Sequence, residues 1–224
     1  MGSSLFQGED LTCIRGGRTV FLGLNFNLAQ GQALILEGPN GSGKSSLIRM
    51  LSGLVRPKLG KLVWQDQDAT RESEIFQRHI HYIGHRNAIK PVLTVLENLA
   101  YWSGKKKDDP SLDDALDHFR MLPLKHTPAN LLSSGQSRRL TLSRLLASER
   151  SVWLLDEPSV GLDVASVALL EDVIKTHRSK GGAVIFATHS PINVENPNKL
   201  NLQDYSPLYN KELLAVENEE DSWI

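Results

Sequence analysis

The sequence predicts an α/β fold: a parallel sheet built around a phosphate-binding loop, preceded by an antiparallel β region and interrupted by a helical subdomain. Three observations predict it. Residues 38–45, Gly38-Pro39-Asn40-Gly41-Ser42-Gly43-Lys44-Ser45, complete the pattern GxxxxGK[ST] between an apolar strand-like run and an apolar-periodic segment. Two further continuous apolar runs, residues 152–155 and 183–187, flank a helical stretch at 164–179, as parallel strands covered on both faces require. The 224 residues, 40% of them hydrophobic and 23% charged, are enough for one sizeable core.

The elements follow in order. Residues 5–37 read as short strands with tight turns: 11–14, a turn at Arg15-Gly16-Gly17-Arg18, then 19–28. The step Gly31-Gln32 starts the strand 33–36 that enters the phosphate loop. After the loop, Leu47, Ile48, Leu51 and Leu54 fall on one helical face. Residues 62–64 and 79–84 read as further strands. From about 94 to 147 the pattern is helical and more polar. Val95, Leu96, Leu99 and Trp102 form one stripe, and Leu112, Leu116, Phe119 and Met121 a second. The run at 105–110 reads as a solvated loop between them, with a membrane-surface contact of its lysines as the alternative. After Asn201 the chain is expected to be loosely held and acidic near its end. A single domain over 1–224 is therefore expected, with a helical subdomain at about 90–148 and a tail at about 205–224.

Composition excludes several classes of function. Net charge is −1, so no global basic field argues for nucleic-acid binding. The single cysteine, Cys13, permits neither an internal disulfide nor a cysteine-based metal site. No run reaches the length of a membrane span, and Met1–Phe6 lacks the charged and apolar regions of a secretory signal. Any membrane association is thus expected to come through a partner. His79 and His81 stand two apart without a third ligand nearby and read as an ordinary strand pair. His118, His126 and His177 read as surface residues, and Trp64 and Trp102 as packing residues.

The chemistry concentrates in a few stretches. The loop glycines let successive N–H groups face a polyphosphate, and the following helix turns its positive end to the same anion. Lys44 is placed to reach the β- and γ-phosphates, and the Ser45 hydroxyl to ligate Mg²⁺. Val152-Trp153-Leu154-Leu155-Asp156-Glu157 is an apolar strand ending in two acids. Asp156 suits Mg²⁺, directly or through water, and Glu157 suits polarisation of an attacking water. Leu132-Ser133-Ser134-Gly135-Gln136 starts a helix containing Arg138, Arg139, Leu142 and Leu145, a second anion site. Leu162-Asp163 follows the paired acids, and His189 ends the last apolar strand, where an imidazole can contact a γ-phosphate.

Together these stretches resemble the ATP-binding-cassette (ABC) family of P-loop NTPases. Residues 38–45, with Ser46 following, match its Walker A. Residues 132–136 match its signature motif, with Ser134 where glycine is usual. Residues 152–157 match Walker B with the catalytic glutamate, Leu162-Asp163 the D-loop, and His189 the switch histidine. The resemblance implies ATP and Mg²⁺ as ligands, with Glu157, His189 and Lys44 in catalytic roles. It also implies a head-to-tail homodimer, each ATP lying between one subunit's Walker A and the other's signature helix at Ser133, Ser134, Gly135 and Gln136, with Asp163 among the nucleotide-binding residues. It further implies an integral-membrane partner. Two positions depart from the pattern. His85 stands where the family has its Q-loop glutamine, with a merely tolerated surface histidine as the alternative. Arg15 stands where an aromatic stacks on adenine; it can lie over a base or be a solvated turn residue.

Tyr82-Ile83-Gly84-His85, Ile89-Lys90, residues 93–99, Gly53-Leu54-Val55-Arg56-Pro57, Val63-Trp64-Gln65 and residues 188–194 are similar to one branch of that family. This is the CcmA-type ATP-binding subunits of the cytochrome c maturation haem exporter. The resemblance implies a peripheral protein on the cytoplasmic face of the bacterial inner membrane, or on the matrix side of the mitochondrial one. Haem itself is expected to be handled by the membrane partner. The ATPase subunit of another small ABC transporter, a soluble non-transport cassette and a regulatory subunit with negligible turnover are the competing expectations.

Overall fold

The computed structural model describes residues 4–70 and 74–210. Two sheets share one chain. Strands β1 (Ser4–Arg15) and β2 (Arg18–Ala29) form a long hairpin closed by Gly16 and Gly17. With β4 (Leu59–Trp64) and β5 (Gln67–Asp68) they make an antiparallel sheet of order β2-β1-β4-β5. The second sheet is parallel, in order β6-β7-β8-β3-β9. Its strands are β3 (Ala33–Glu37), β6 (Ile80–Ile83), β7 (Val152–Asp156), β8 (Ala183–Ala187) and β9 (Asn198–Asn201).

The helices are α1 (Lys44–Leu51), the one-turn α2 (Glu74–Gln77), α3 (Val95–Ser103), α4 (Pro110–His118), α5 (Ser134–Ala147) and α6 (Val164–Ser179). Thr94 caps α3 with a reciprocal bond to Glu97, and Asp109 caps α4 with Pro110 in its first turn. Every residue of β7 and β8 is buried, because the parallel sheet is covered on both faces. Leu154 and Ile185 face a core shared with α1 and the antiparallel sheet, including Phe6, Phe21, Leu47 and Met50. Trp153, Leu155, Val184 and Phe186 face a second core with α3–α6, including Leu99, Leu116, Phe119 and Leu142. Each such side chain contributes about 1.5–3 kcal/mol by leaving water.

Four expectations change. Helix α1 ends at Leu51, and Gly53 at φ 76° turns the chain away, so Leu54 is 65% exposed rather than on the buried face. His177 is half-buried rather than on the open surface; its ring stacks flat on Trp153 at 3.7 Å. The stretch after Asn201 is packed as far as Pro207, and Leu208 beyond it is 73% exposed. Asn198–Asn201 pairs with β3 as an edge strand, and Leu202 and Ser206 are buried beyond it. Trp102 is 39% exposed, carrying Arg144 4.2 Å above its ring. The acids Glu217, Glu219, Glu220 and Asp221 of the expected tail lie outside the described residues.

Candidate nucleotide site

The carboxyl ends of β3, β7 and β8 converge, and the site is built there. The phosphate loop leaves β3 and turns into α1 through backbone only glycine adopts easily. Gly38 has φ 135° and Gly43 φ 105°; a Cβ on Gly43 would stand 2.8 Å from Val20 Cγ1. Gly43 caps α1 without a side-chain bond, so the first-turn amides face the cleft uncapped. Lys44 is 8% exposed, and its ammonium donates to the carbonyls of Gly38 at 2.6 Å and Pro39 at 3.0 Å. Burial lowers its pKa, and the carboxylates of Glu157 and Asp156 oppose that fall. Ser42 Oγ is buried with no hydrogen-bond partner inside the loop.

Across the cleft, Ser45 Oγ donates to Asp156 Oδ1 at 3.0 Å. Asp156 is 2% exposed at the end of β7. This oxygen pair suits a hard divalent cation, which takes one or two protein oxygens and completes its shell with phosphate and water. Glu157 follows at φ 51°, a left-handed conformation that is uncommon outside glycine. Its N–H donates to Ala187 O at 2.9 Å, and its carboxylate accepts the His189 N–H at 3.1 Å. The His189 Nε2 lies 3.6 Å from the other carboxylate oxygen.

A cleft of about 440 Å³ results. Of the residues expected there, Asn40, Gly41, Gly43, Lys44, Ser45, Ser46, His85, Glu157 and His189 line it. Gly38, Pro39, Ser42 and Asp156 stand behind this lining. His85 reaches the cleft from a loop gripped on both sides. Asn98, 1% exposed, bonds both polar backbone groups of Lys90 and the carbonyls of Leu93 and Thr94. Trp102 Nε1 donates to Ala88 O, and Thr141 Oγ1 to Asn87 O, each at 3.0 Å.

The remaining expected residues are elsewhere in the chain. Ser133 caps α5 and exchanges bonds with Gln136: its hydroxyl accepts the Gln136 N–H, and Gln136 Oε1 accepts its N–H. Ser134 is exposed, and Gly135 packs near Gly161, whose carbonyl would be 3.1 Å from an added Cβ. Asp163 caps α6 by accepting the Ser166 N–H at 2.7 Å, and its bonds to Ser166 lower its pKa. None of Ser133, Ser134, Gly135, Gln136, Asp163 or Arg15 lines the cleft of their own chain.

Two supports escaped the sequence reading. Tyr209 donates from the C-terminal segment to Asn40 O at 3.1 Å, bracing the phosphate loop. Arg138, 3% exposed, donates to the ends of two site loops. The signal for Arg138 was present: a cation on the same helical stripe as Leu142 and Leu145.

The ABC transporter family matches over residues 21–160. The chain is 44% identical over 211 residues to the cytochrome c biogenesis ATP-binding export protein CcmA of Paramagnetospirillum magneticum, covering 92% of this chain and 97% of that one. It is 46% identical over 205 residues to CcmA of Rhodospirillum rubrum, covering 91% and 88%. The fold is similar to a putative ABC transporter ATP-binding protein from Pyrococcus furiosus, with TM-score 0.77 and 23% identity over 90% of this chain and 98% of that one. It is similar also to an ATP-binding cassette solved as a dimer in a post-hydrolysis state bound to ADP and Pi, with TM-score 0.74 and 22% identity over 83% and 88%. No helix among the described residues is long and apolar enough to cross a membrane. The chain belongs to the ABC transporter family, whose ATPase domains bind ATP, and within it to the CcmA-type ATP-binding export proteins of cytochrome c biogenesis.

Proposed function

We propose that the chain is the ATP-hydrolysing subunit of a membrane transporter that exports or delivers haem for c-type cytochrome biogenesis, and that its 224 residues form one cassette domain. The observation that carries the ATPase reading is the convergence of Lys44, the Ser45–Asp156 pair, Glu157, His85 and His189 on one cleft. The cargo reading rests on the CcmA relatives, named as export proteins of cytochrome c biogenesis.

In this reading the loop amides and Lys44 hold the β- and γ-phosphates, and the orphan Ser42 hydroxyl lies within the same cradle. Ser45 and Asp156 hold Mg²⁺, which when bound neutralises charge on the phosphate oxygens. Glu157 accepts the proton of a water attacking the γ-phosphorus in line as the bond to ADP breaks. His189, held against Glu157, orients that carboxylate and faces the γ-phosphate. His85 takes the place of a glutamine that senses the same region.

The exposed start of α5 meets no phosphate in its own chain, which supports a head-to-tail homodimer. Ser133, Ser134, Gly135, Gln136 and Asp163 of one copy would close the cleft of the other. Membrane subunits would dock where Val92, 88% exposed, and Tyr101, 57% exposed, lie on the loop and helix that hold His85. In this reading the protein sits peripherally on the cytoplasmic face of the inner membrane, or on the matrix face in an organelle. The test is Glu157→Gln in the complex purified with its membrane subunits from detergent. ATP binding should persist, ATPase activity should fall, and holocytochrome yield in cells should fall with it. ATPase activity at the wild-type rate would refute the assignment.

A further inference from the structure

The guanidinium of Arg138 makes five hydrogen bonds, all to groups of the segment at and just after the end of β7 and of the loop that carries His85. Nε donates to Pro158 O at 3.0 Å. One terminal nitrogen donates to Gly84 O at 3.0 Å and Asn87 Oδ1 at 3.2 Å. The other donates to Glu157 O at 2.6 Å and Asp156 O at 3.3 Å. One residue of α5 thus ties the end of β7 to the loop that carries His85. Thr141, nearly one turn further on, adds its bond to Asn87 O.

No carboxylate oxygen is among these acceptors. Burial lowers the Arg138 pKa to about 10, against the opposing pull of Asp156 and Glu157, so the group stays cationic at neutral pH. A buried cation satisfied by carbonyls defines backbone geometry rather than neutralising a partner charge. The backbone it defines is special. Glu157 is held at φ 51° between its own N–H on Ala187 O and its carbonyl on Arg138. That peptide pair directs the Glu157 carboxylate to the His189 N–H. Arg138 also lies one turn from Ser134 and Gly135, the exposed helix start.

We propose that Arg138 is a positioning residue that holds Glu157 and the His85 loop in their hydrolytic arrangement and makes that arrangement depend on how α5 is seated. The inference rests on the reading of Glu157 as the base. Movement of the α5 start against a second copy's nucleotide would then be felt at Glu157 through one rigid side chain. Lysine keeps the charge but cannot span both loops with a planar fork.

The test compares Arg138→Lys and Arg138→Gln, each alone and combined with Glu157→Gln, in the complex with its membrane subunits. ATP affinity is read by calorimetry and turnover by single-turnover hydrolysis. Arg138→Lys is expected to leave ATP affinity within about twofold and to lower turnover about tenfold or more. In the Glu157→Gln background the same change is expected to cost nothing further, because Arg138 acts through Glu157. Should Arg138→Gln fail to fold, the charge-preserving lysine variant carries the decision. Wild-type turnover in Arg138→Lys overturns the inference. So does an undiminished further loss in the Glu157→Gln background, which marks a general scaffold role. Wild-type turnover in Glu157→Gln alone, with Arg138 intact, refutes the reading of the base and removes the inference with it.

Discussion

The starts of α1 and α5 are finished differently. The α1 start is capped by a left-handed Gly43 with no side chain, and Lys44, Ser45, Asp156, Glu157 and His189 surround it. The α5 start is closed by its own Ser133 and Gln136 in a reciprocal pair and stands exposed. The first is an anion site whose cations, acids and amides come from one chain. The second has good helix chemistry and no charged machinery of its own cleft beside it. The difference supports the proposed head-to-tail arrangement, in which the α5 start of a second copy would close the cleft.

The largest expected effect removes the first region outright. Lys44→Ala should weaken ATP binding at least about tenfold and lower turnover by about 10³-fold or more, because the ammonium is the cation held against the loop. Calorimetry showing wild-type affinity would detach Lys44 from the nucleotide. Next is Glu157→Gln, which should lower turnover about 10²-fold while affinity stays within about twofold. Here steady-state ATPase and nucleotide affinity are measured on the same preparation, and only the first should move. A smaller effect is expected at His85, which faces the cleft from a loop pinned by Asn98, Trp102 and Thr141. His85→Ala should reduce holocytochrome yield more than it reduces ATP binding, and His85→Gln should be better tolerated. Wild-type yield from the alanine variant would make His85 a bystander.

The smallest effect concerns stability and separates the two regions by pH. His81 is 7% exposed, and its Nε2 sits 3.0 Å from the Ser148 carbonyl at the far end of α5. Burial lowers its pKa to about 4, and burial does the same to His177 in the last turn of α6. A histidine kept neutral in the fold is protonated more readily in the unfolded chain. Stability should therefore be lost as pH falls from about 6.5 towards 4, by roughly 2–3 kcal/mol for His81. Denaturant unfolding across that window should show the slope, and His81→Gln should flatten it. Hydrogen exchange should rise first at the C-terminal turn of α5 rather than at α1. Protection lost first at α1 would contradict this.

Much of this architecture is legible in the residues because it is written contiguously. The phosphate loop, β7, β8 and α6 each carry their signal in one short stretch, and the full burial of β7 and β8 follows from uninterrupted apolar runs. What was not legible depends on contacts between distant stretches. β9 has one buried residue, Leu200, and is a strand only because β3 is there to pair with it. The stretch after Asn201 reads as a loosely held tail, yet Leu202 fills the core and Tyr209 reaches Asn40. His177 looks like any helix-surface histidine until Trp153 lies under it. Arg138 stands on the stripe of Leu142 and Leu145, but its acceptors at Gly84 and Glu157 are known only once the loops it joins are brought together. In the site, the motifs named the cleft residues, and the supports behind them came from the fold.

The central claim, that the α5 start of one copy completes the cleft of another, is tested most directly by mixing two inactive variants. Lys44→Ala breaks the phosphate loop. Gly135→Asp puts a negative charge at the α5 start, where it favours the helix and repels a phosphate. Each variant alone should be inactive. A one-to-one mixture, reassembled with the membrane subunits, should recover up to about a quarter of the wild-type ATPase rate, because half of randomly paired dimers keep one intact cleft. If loop and helix start instead served the same cleft in cis, both subunits of every mixed dimer would be broken. A mixture as inactive as its components would contradict the account.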